Sequence, residues 1–290
     1  PFQRASHLHS WWDSYSRCEL HKSWPRVFLR ARGSLCVVKT FCPPPVRMGA
    51  ALGKWSDLVN YVSGSLLGGP RPFTQATVIN VQKAGTLLWC LYWMNATGNY
   101  SGTACLYTAL HGSYGLCWLL KEMVFPDPGW QRPVTIPSAL IMSLTVLGPY
   151  WIAPYLCITN RFEASPALMG LSTGVYALGL ALMIGADAQK YFTLKHKRGL
   201  ITSGFFAATR NPNYLGEMMI YGSFAALSGH REPWFVLAAV WGFLFVPNMV
   251  RKDRSMSRYG AAWVHYQAHS GLLLPWLPTL ARGGAPPARP

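Results

Sequence analysis

The sequence predicts an all-α, polytopic membrane helix bundle of about six transmembrane helices, and three observations carry that expectation. Hydrophobic residues make up 51% of the 290 and charged residues 12%, with a mean hydropathy of +0.15, more apolar surface than a water-facing globule needs. The stretches 84–120, 135–158, 164–186 and 234–250 contain no Asp, Glu, Lys or Arg. The 26 Lys and Arg against 10 Asp and Glu, a formal +16, flank those apolar runs instead of forming one basic face. Such a distribution suits cytoplasmic membrane edges better than a nucleic-acid surface.

The first 50 residues are read as a basic, unstructured leader. Residues 1–48 hold eight Lys and Arg against Asp13 and Glu19, with Trp11, Trp12 and Pro43-Pro44-Pro45, and no helical or strand period. A basic, acid-poor leader suits an organellar transit peptide equally well, and with Pro1 at its start it is expected to be incomplete. The membrane domain is expected over 51–280, with its cofactor half at about 186–278, followed by a disordered tail at 281–290, "ARGGAPPARP".

A helix needs roughly 20 apolar residues to cross the hydrocarbon. The stretches 135–158, 164–186 and 234–250 are each expected to cross once, while 84–120 is too long for one pass and is split by "NATGNYSG" at 95–102. A helix over 212–228 completes the six. "KYFTLKHKRG" at 190–199 and "RKDRSMSR" at 251–258 are separated by an even number of crossings, so both face the cytoplasm together with 122–133. Residues 95–102, with sequons at Asn95 and Asn99, face the opposite side.

The seven cysteines form no CxxC and no Cys/His pair at zinc-ligand spacing, so no metal site is expected. No GxGxxG or GxxxxGK is present, so a nucleotide would have to bind by another route. "ATRNPNYLGE" at 208–217 offers one: Arg210, Asn211, Asn213 and Tyr214 surround a helix start at Pro212. Free N–H groups and a partial positive charge at a helix N-terminus favour phosphate or carboxylate. Beyond the last span come Arg251, Lys252, Asp253, Arg254, Arg258, Tyr259, Trp263 and Tyr266. The spacing of Tyr259, Trp263 and Tyr266 predicts three rings on one helical face. Rings beside cations suit a dinucleotide or an adenosyl group, and they suit an interfacial helix as well.

"GLITSGFFAATRNPNYLGEMMIYGSFAAL", followed by "RKDRSMSRYGAAWVHYQAHSGLLLPWL", resembles the C-terminal domain of the steroid 5-alpha-reductase and sterol reductase superfamily, and more closely its DUF1295 branch. "ADAQKYFTLKHKRGLI" fits the same pattern, and the resemblance covers about 130–278. It implies NADPH-dependent reduction of a C=C bond in a steroid, sterol or related lipid, within a membrane domain whose default compartment is the endoplasmic reticulum; the basic leader keeps plastid and mitochondrion open. By position it implies that Asn213, Tyr214 and Glu217 line the cofactor pocket and that Arg210 contacts phosphate. It further implies that Lys190 and Arg198 serve the adenosine or phosphate end, and that Arg251, Asp253, Tyr259 and Tyr266 complete the cage. Tyr214 and Glu217 are the candidate catalytic groups, and the early helices offer Tyr92, Tyr107, His111, Tyr114 and Glu122. Asn211 stands where many sterol reductases have His, and Asp253 lies closer to Tyr259-Gly260 than the family's acid does.

"RNPNYLG" is similar also to the element of isoprenylcysteine and phospholipid methyltransferases, which bind S-adenosylmethionine. Their downstream block favours paired glutamates, whereas 251–258 here has four cations and one Asp, which suits a cofactor bearing phosphates. A nonenzymatic lipid-binding descendant is the remaining alternative. Substrate choice is expected to reside in the apolar region between 84 and 189.

Overall fold

The computed structural model describes residues 48–277 and two short strands upstream, β1 (Arg30–Ala31) and β2 (Ser34–Leu35), which pair antiparallel as a unit of their own. Most of the basic leader and the tail at 281–290 lie outside the described residues.

The main unit is a bundle of helices: α1 (Met48–Gly64), α2 (Gln75–Thr97), α3 (Gly102–Val124), α4 (Ile136–Thr159), α5 (Pro166–His196), α6 (Pro212–Ser228), α7 (Glu232–Tyr259) and α8 (Ala261–Ala268). Two further strands, β3 (Phe73–Thr74) and β4 (Pro133–Val134), pair antiparallel and tie the approach to α2 to the approach to α4. The helix starts are written locally. Thr74, Ser101 and Ser165 cap α2, α3 and α5 through their hydroxyls, and Pro166 and Pro212 occupy first helical positions, where no N–H is needed. The break between α2 and α3 falls at Gly98, whose φ of 61° ends the helix in the left-handed region.

The six expected spans all appear as helices. By length and composition α4, α5 and α7 can cross a bilayer, which makes this an integral membrane protein; α2 and α3, with 23 residues each, and α6, with 17, complete the bundle. Two spans are irregular. A wide π turn at Ser143–Leu147 precedes Pro149 in α4, and another at Trp241–Phe245 precedes Pro247 in α7. Proline lacks the N–H of a regular ladder, and the widened turn accommodates the mismatch.

The loops sort to two ends. At one end Arg161 donates to the Thr97 carbonyl, Asn99 donates to Ile158 O at 2.7 Å, and Asn160 meets His230 at 3.1 Å. At the other, Lys190 pairs with Asp127 at 2.7 Å. This division matches the sides assigned from charge. One sequon is unavailable, since Asn99 is only 2% exposed and serves as a bridge to α4.

The crossing of α5 and α6 is among the tightest in the bundle. A Cβ on Gly216 would lie 2.5 Å from Gly179 O and 2.6 Å from Met183 N, while one on Gly179 would lie 2.7 Å from Gly216 O. Only paired glycines permit that backbone approach, as in other membrane helix pairs. Substituting Gly216→Ala is expected to destabilise the protein by about 1–3 kcal/mol through overpacking against backbone. Gly174→Ala, whose Cβ meets nothing within 4 Å, should leave the thermal midpoint in detergent unchanged; equal midpoints for the two variants would contradict a glycine-dependent crossing.

Candidate functional site

Charge gathers at the basic end of the bundle in two layers. The outer layer surrounds the start of α6. Asn211 at the N-cap position makes no side-chain cap; its Nδ2 donates to Leu272 O at 2.8 Å and its Oδ1 accepts from Lys252 Nζ at 3.1 Å. Lys252 also donates to Arg210 O at 3.0 Å. The segment before α6 is joined to the C-terminal segment by a parallel bridge between Thr209 and Gly271, by Arg210 N to Gly271 O at 2.9 Å and by Tyr266 Oη to Phe206 O at 2.6 Å.

Arg210 holds this junction. It is 8% exposed, its Nε donates to both Asp253 oxygens at 3.1 Å, and an Nη lies 3.0 Å from Asp253 Oδ2. Its other Nη donates to the carbonyls of Ser270 and Gln267, and the guanidinium sits 5.7 Å from the Trp263 ring centroid. The guanidinium is thus engaged within the protein, joining α6, α7 and α8. The expected common face of Tyr259, Trp263 and Tyr266 does not form. Gly260, at φ 57°, separates Tyr259 at the end of α7 from Trp263 and Tyr266, which are buried on α8 with centroids 5.8 Å apart. Burial pushes the Tyr266 phenol above its ordinary range, in keeping with a donor locked onto a carbonyl.

The remaining expected residues lie around this junction. Arg251 is exposed, donates to Asn248 Oδ1 at 3.3 Å, and is within electrostatic reach of Tyr214 and Arg132. Tyr259 accepts from Arg258 at 3.4 Å, and Arg198 is exposed on the connection between α5 and α6. Tyr214 packs edge-on against Phe245 at 4.8 Å. Lys190 is held by Asp127 at 2.7 Å. Burial alone would raise the Asp127 carboxyl, but Lys190 and the Gly129 amide hold it below its ordinary value.

The inner layer lies below. Lys121 of α3 and Asp187 of α5 form an ion pair of 2.7 Å with side chains 2% and 10% exposed. Glu217, half-buried on α6, is within electrostatic reach of Lys83, Asp187 and Lys121. One turn above Glu217, Asn213 directs a buried Oδ1 that finds no hydrogen-bond partner. Asn213 and Glu217 are four residues apart and therefore share a face of α6. An unsatisfied buried acceptor is costly, and it marks where a ligand donor would be welcomed.

Lys83 and Lys121 were not among the expected site residues. Lys83 and Lys121 bound the uncharged run 84–120 and so read as its edges. The missed signal is that Lys83 falls inside α2, about two turns from its start. In "ADAQK", Asp187 takes the Lys121 pair and Lys190 the Asp127 pair. Gln189 between them ties down the following loop, donating to Ser203 O at 2.8 Å and accepting from Phe205 N at 2.9 Å.

Comparison with known proteins fits this geometry. Residues 140–269 match a family described as a protein of unknown function, DUF1295. This segment is similar to the DUF1295 family. The match supports the resemblance to the sterol reductase superfamily, and the matched residues contain α5, α6, α7, α8, the Arg210–Asp253 clamp and most of α4. The chain is also similar to the delta(14)-sterol reductase of Mus musculus, 26% identical over 141 residues, 47% of this chain and 29% of that protein. A delta(14)-sterol reductase of Ascobolus immersus is 26% identical over 140 residues, 40% of this chain and 33% of its own length. The chain therefore spans about a third of the length of these curated relatives.

Two outcomes are expected from the ion pairs. Replacing Asp253 with Asn leaves the buried Arg210 charge uncompensated and should cost about 3 kcal/mol, read as a lower thermal midpoint in detergent; an unchanged midpoint would remove the clamp. The Asp127 pair should show a pH signature. Because its folded-state carboxyl is held below the unfolded value, its contribution is complete above the ordinary carboxylate range and is lost as pH falls through the depressed value. Asp127→Asn should therefore flatten the acid side of the stability curve and leave its slope near neutrality alone.

Proposed function

We propose that the protein reduces a C=C bond of a steroid, sterol or related lipid, using NADPH. The observation that carries this reading is the partnerless Asn213 Oδ1, aligned on α6 with Glu217 beneath a rim of cations. The sterol reductase relatives point to the same chemistry, while the activity, cofactor and substrate of this chain are our inference.

The residues present fit the cofactor. Asn213 offers an acceptor to the amide N–H of a nicotinamide carboxamide, and Glu217, one turn deeper, offers a carboxylate to the same group or a ribose hydroxyl. Arg251, Arg198, Lys190 and Lys252 supply positive charge for the phosphates around the uncapped start of α6. Tyr214 supports the pocket wall through Phe245, and Tyr259 sits at the rim. In this reading Arg210, Asp253 and Tyr266 hold the frame, because their polar groups are engaged inside the protein. NADPH supplies the hydride when bound. The chain's own part is to orient the ring, exclude water with the apolar helices and hold a proton for the second alkene carbon.

Four cations against one Asp at 251–258 favour a phosphate-bearing cofactor over the sulfonium of S-adenosylmethionine. The test is ligand-dependent thermal stabilisation in detergent with NADPH, NADH and S-adenosylmethionine side by side. A ligand at 100 times its dissociation constant adds about 2.7 kcal/mol. NADPH should stabilise, and Arg251→Ala should weaken that binding by about 1.5–3 kcal/mol. A response to S-adenosylmethionine alone would replace the reductase with a methyltransferase, and no response to any of the three would leave lipid binding as the activity.

A further inference from the structure

The face of α6 that carries Asn213 and Glu217 continues, four residues on, to Tyr221. At 1.5 Å per residue, Tyr221 lies about 12 Å deeper than Asn213, beyond the charged layers and among apolar helices. Its Oη accepts a short hydrogen bond from Lys83 Nζ, which also donates to Tyr114 Oη at 3.4 Å. Lys83 is 6% exposed. Among the described residues no carboxylate lies within ion-pair distance of it. Its Nζ is instead surrounded by the rings of Tyr114, Trp118, Tyr221 and Tyr150, with centroids 4.5, 5.2, 5.0 and 5.9 Å away.

A lysine buried in an apolar helix is costly, and such a residue is a functional-site hypothesis by default. Structure alone would be served as well by leucine or methionine. The backbone has been shaped to place it: a Cβ on Gly115 of α3 would lie 2.5 Å from Lys83 O, so α3 packs directly onto this turn of α2. Tyr221 also borders a closed apolar seam of about 10 Å³, at most the room of one water, shared with His111, Tyr150 and Phe224. The phenol therefore has the cofactor face of α6 above it, a cation at its oxygen and an apolar seam beside its ring.

Resting on the reductase reading, we propose that Tyr221 is the catalytic proton donor and that Lys83 is its positioning residue. The reduced nicotinamide dinucleotide, when bound, would supply the hydride to one alkene carbon; as the π bond breaks, the other carbon would take the proton of the Tyr221 O–H. The electron pair of that O–H bond stays on oxygen as a tyrosinate, which the neighbouring Lys83 cation stabilises. A proton from water then restores the phenol.

The test uses the whole chain in detergent, with NADPH and two substrates, a conjugated sterol diene and a steroid enone. Tyr221→Phe should lower kcat by about 100-fold or more while leaving the NADPH-induced thermal shift and the cofactor KM unchanged. Lys83→Met should lower kcat comparably, and Lys83→Arg should recover much of the loss. A readout independent of turnover comes from the unloaded protein carrying [13Cζ]tyrosine. The resonance absent from Tyr221→Phe should move in Lys83→Met and return toward its place in Lys83→Arg. Turnover in Tyr221→Phe within threefold of wild type overturns the assignment of the acid, and a resonance unmoved by Lys83→Met overturns the couple. Absence of any NADPH-induced shift in the wild type defeats the reductase reading itself, and the proton-donor role falls with it. If Tyr221→Phe does not fold, the Lys83→Met and Lys83→Arg pair decides on kcat and on spectra recorded without assignment by loss.

Discussion

The contact on which the rest of the bundle depends is the crossing of α5 and α6, where Gly179 and Gly216 bring two backbones together without side chains between them. In a bilayer there is little hydrophobic gain from joining two helices, since lipid tails are as apolar as leucine, and close packing must supply the attraction. Once α6 is pressed onto α5 at Gly216, the residues on either side of that glycine are fixed. Glu217 takes up a position within electrostatic reach of Asp187, and Tyr221 points toward the early helices, where Lys83 meets it. A looser crossing would leave the same residues on the helix and no defined site between the helices.

Charges in this protein divide by how completely each is matched. Arg210 with Asp253 and Lys121 with Asp187 are close, buried pairs whose partners come from different helices, the signature of charges that hold a frame. Lys83 is matched at close range by phenols and rings and by Glu217 only at a distance, Glu217 itself only by charges at a distance, and Asn213 Oδ1 by nothing. Incomplete satisfaction at Asn213 and Glu217, on one face of α6, is where a folded protein departs from its own packing rules, and such departures collect at functional sites.

Much of the bundle was legible from runs of uncharged sequence, because a span has a minimum length and charges are excluded from it. The break within 95–102 and the start at Pro212 followed from residue chemistry alone. Of the proposed site, Arg251, Lys190 and Asn213 stand in a recognisable motif, whereas the residues inside it do not. Arg210 looked like a phosphate ligand because sequence displays its charge but conceals Asp253, 43 residues away and bonded to it. The spacing of Tyr259, Trp263 and Tyr266 suggested one face because it assumed one helix, and Gly260 broke it. Lys83 and Lys121 escaped notice for a related reason: a charge at the edge of an apolar run reads as the membrane boundary until the helix is seen to extend past it.

How deep a charge lies along its helix decides where chemistry can occur in a membrane bundle. A cation at the interface reaches water and is stabilised by it, so its position alone says little about function. Lys83 has Tyr114, Tyr221, Trp118 and Tyr150 about it instead. Rings tolerate a cation through their quadrupoles but bring no full opposite charge, and in a medium of low dielectric the difference is large. The pair is therefore poised in a way an ion pair is not: transfer of the phenolic proton away from Tyr221 would create the negative charge that Lys83 otherwise lacks. Stability alone would have replaced this lysine by an apolar residue or given it a carboxylate. Its retention beside a phenol, on the same helix face as an unsatisfied amide oxygen, is what ties the cofactor end of α6 to the apolar seam.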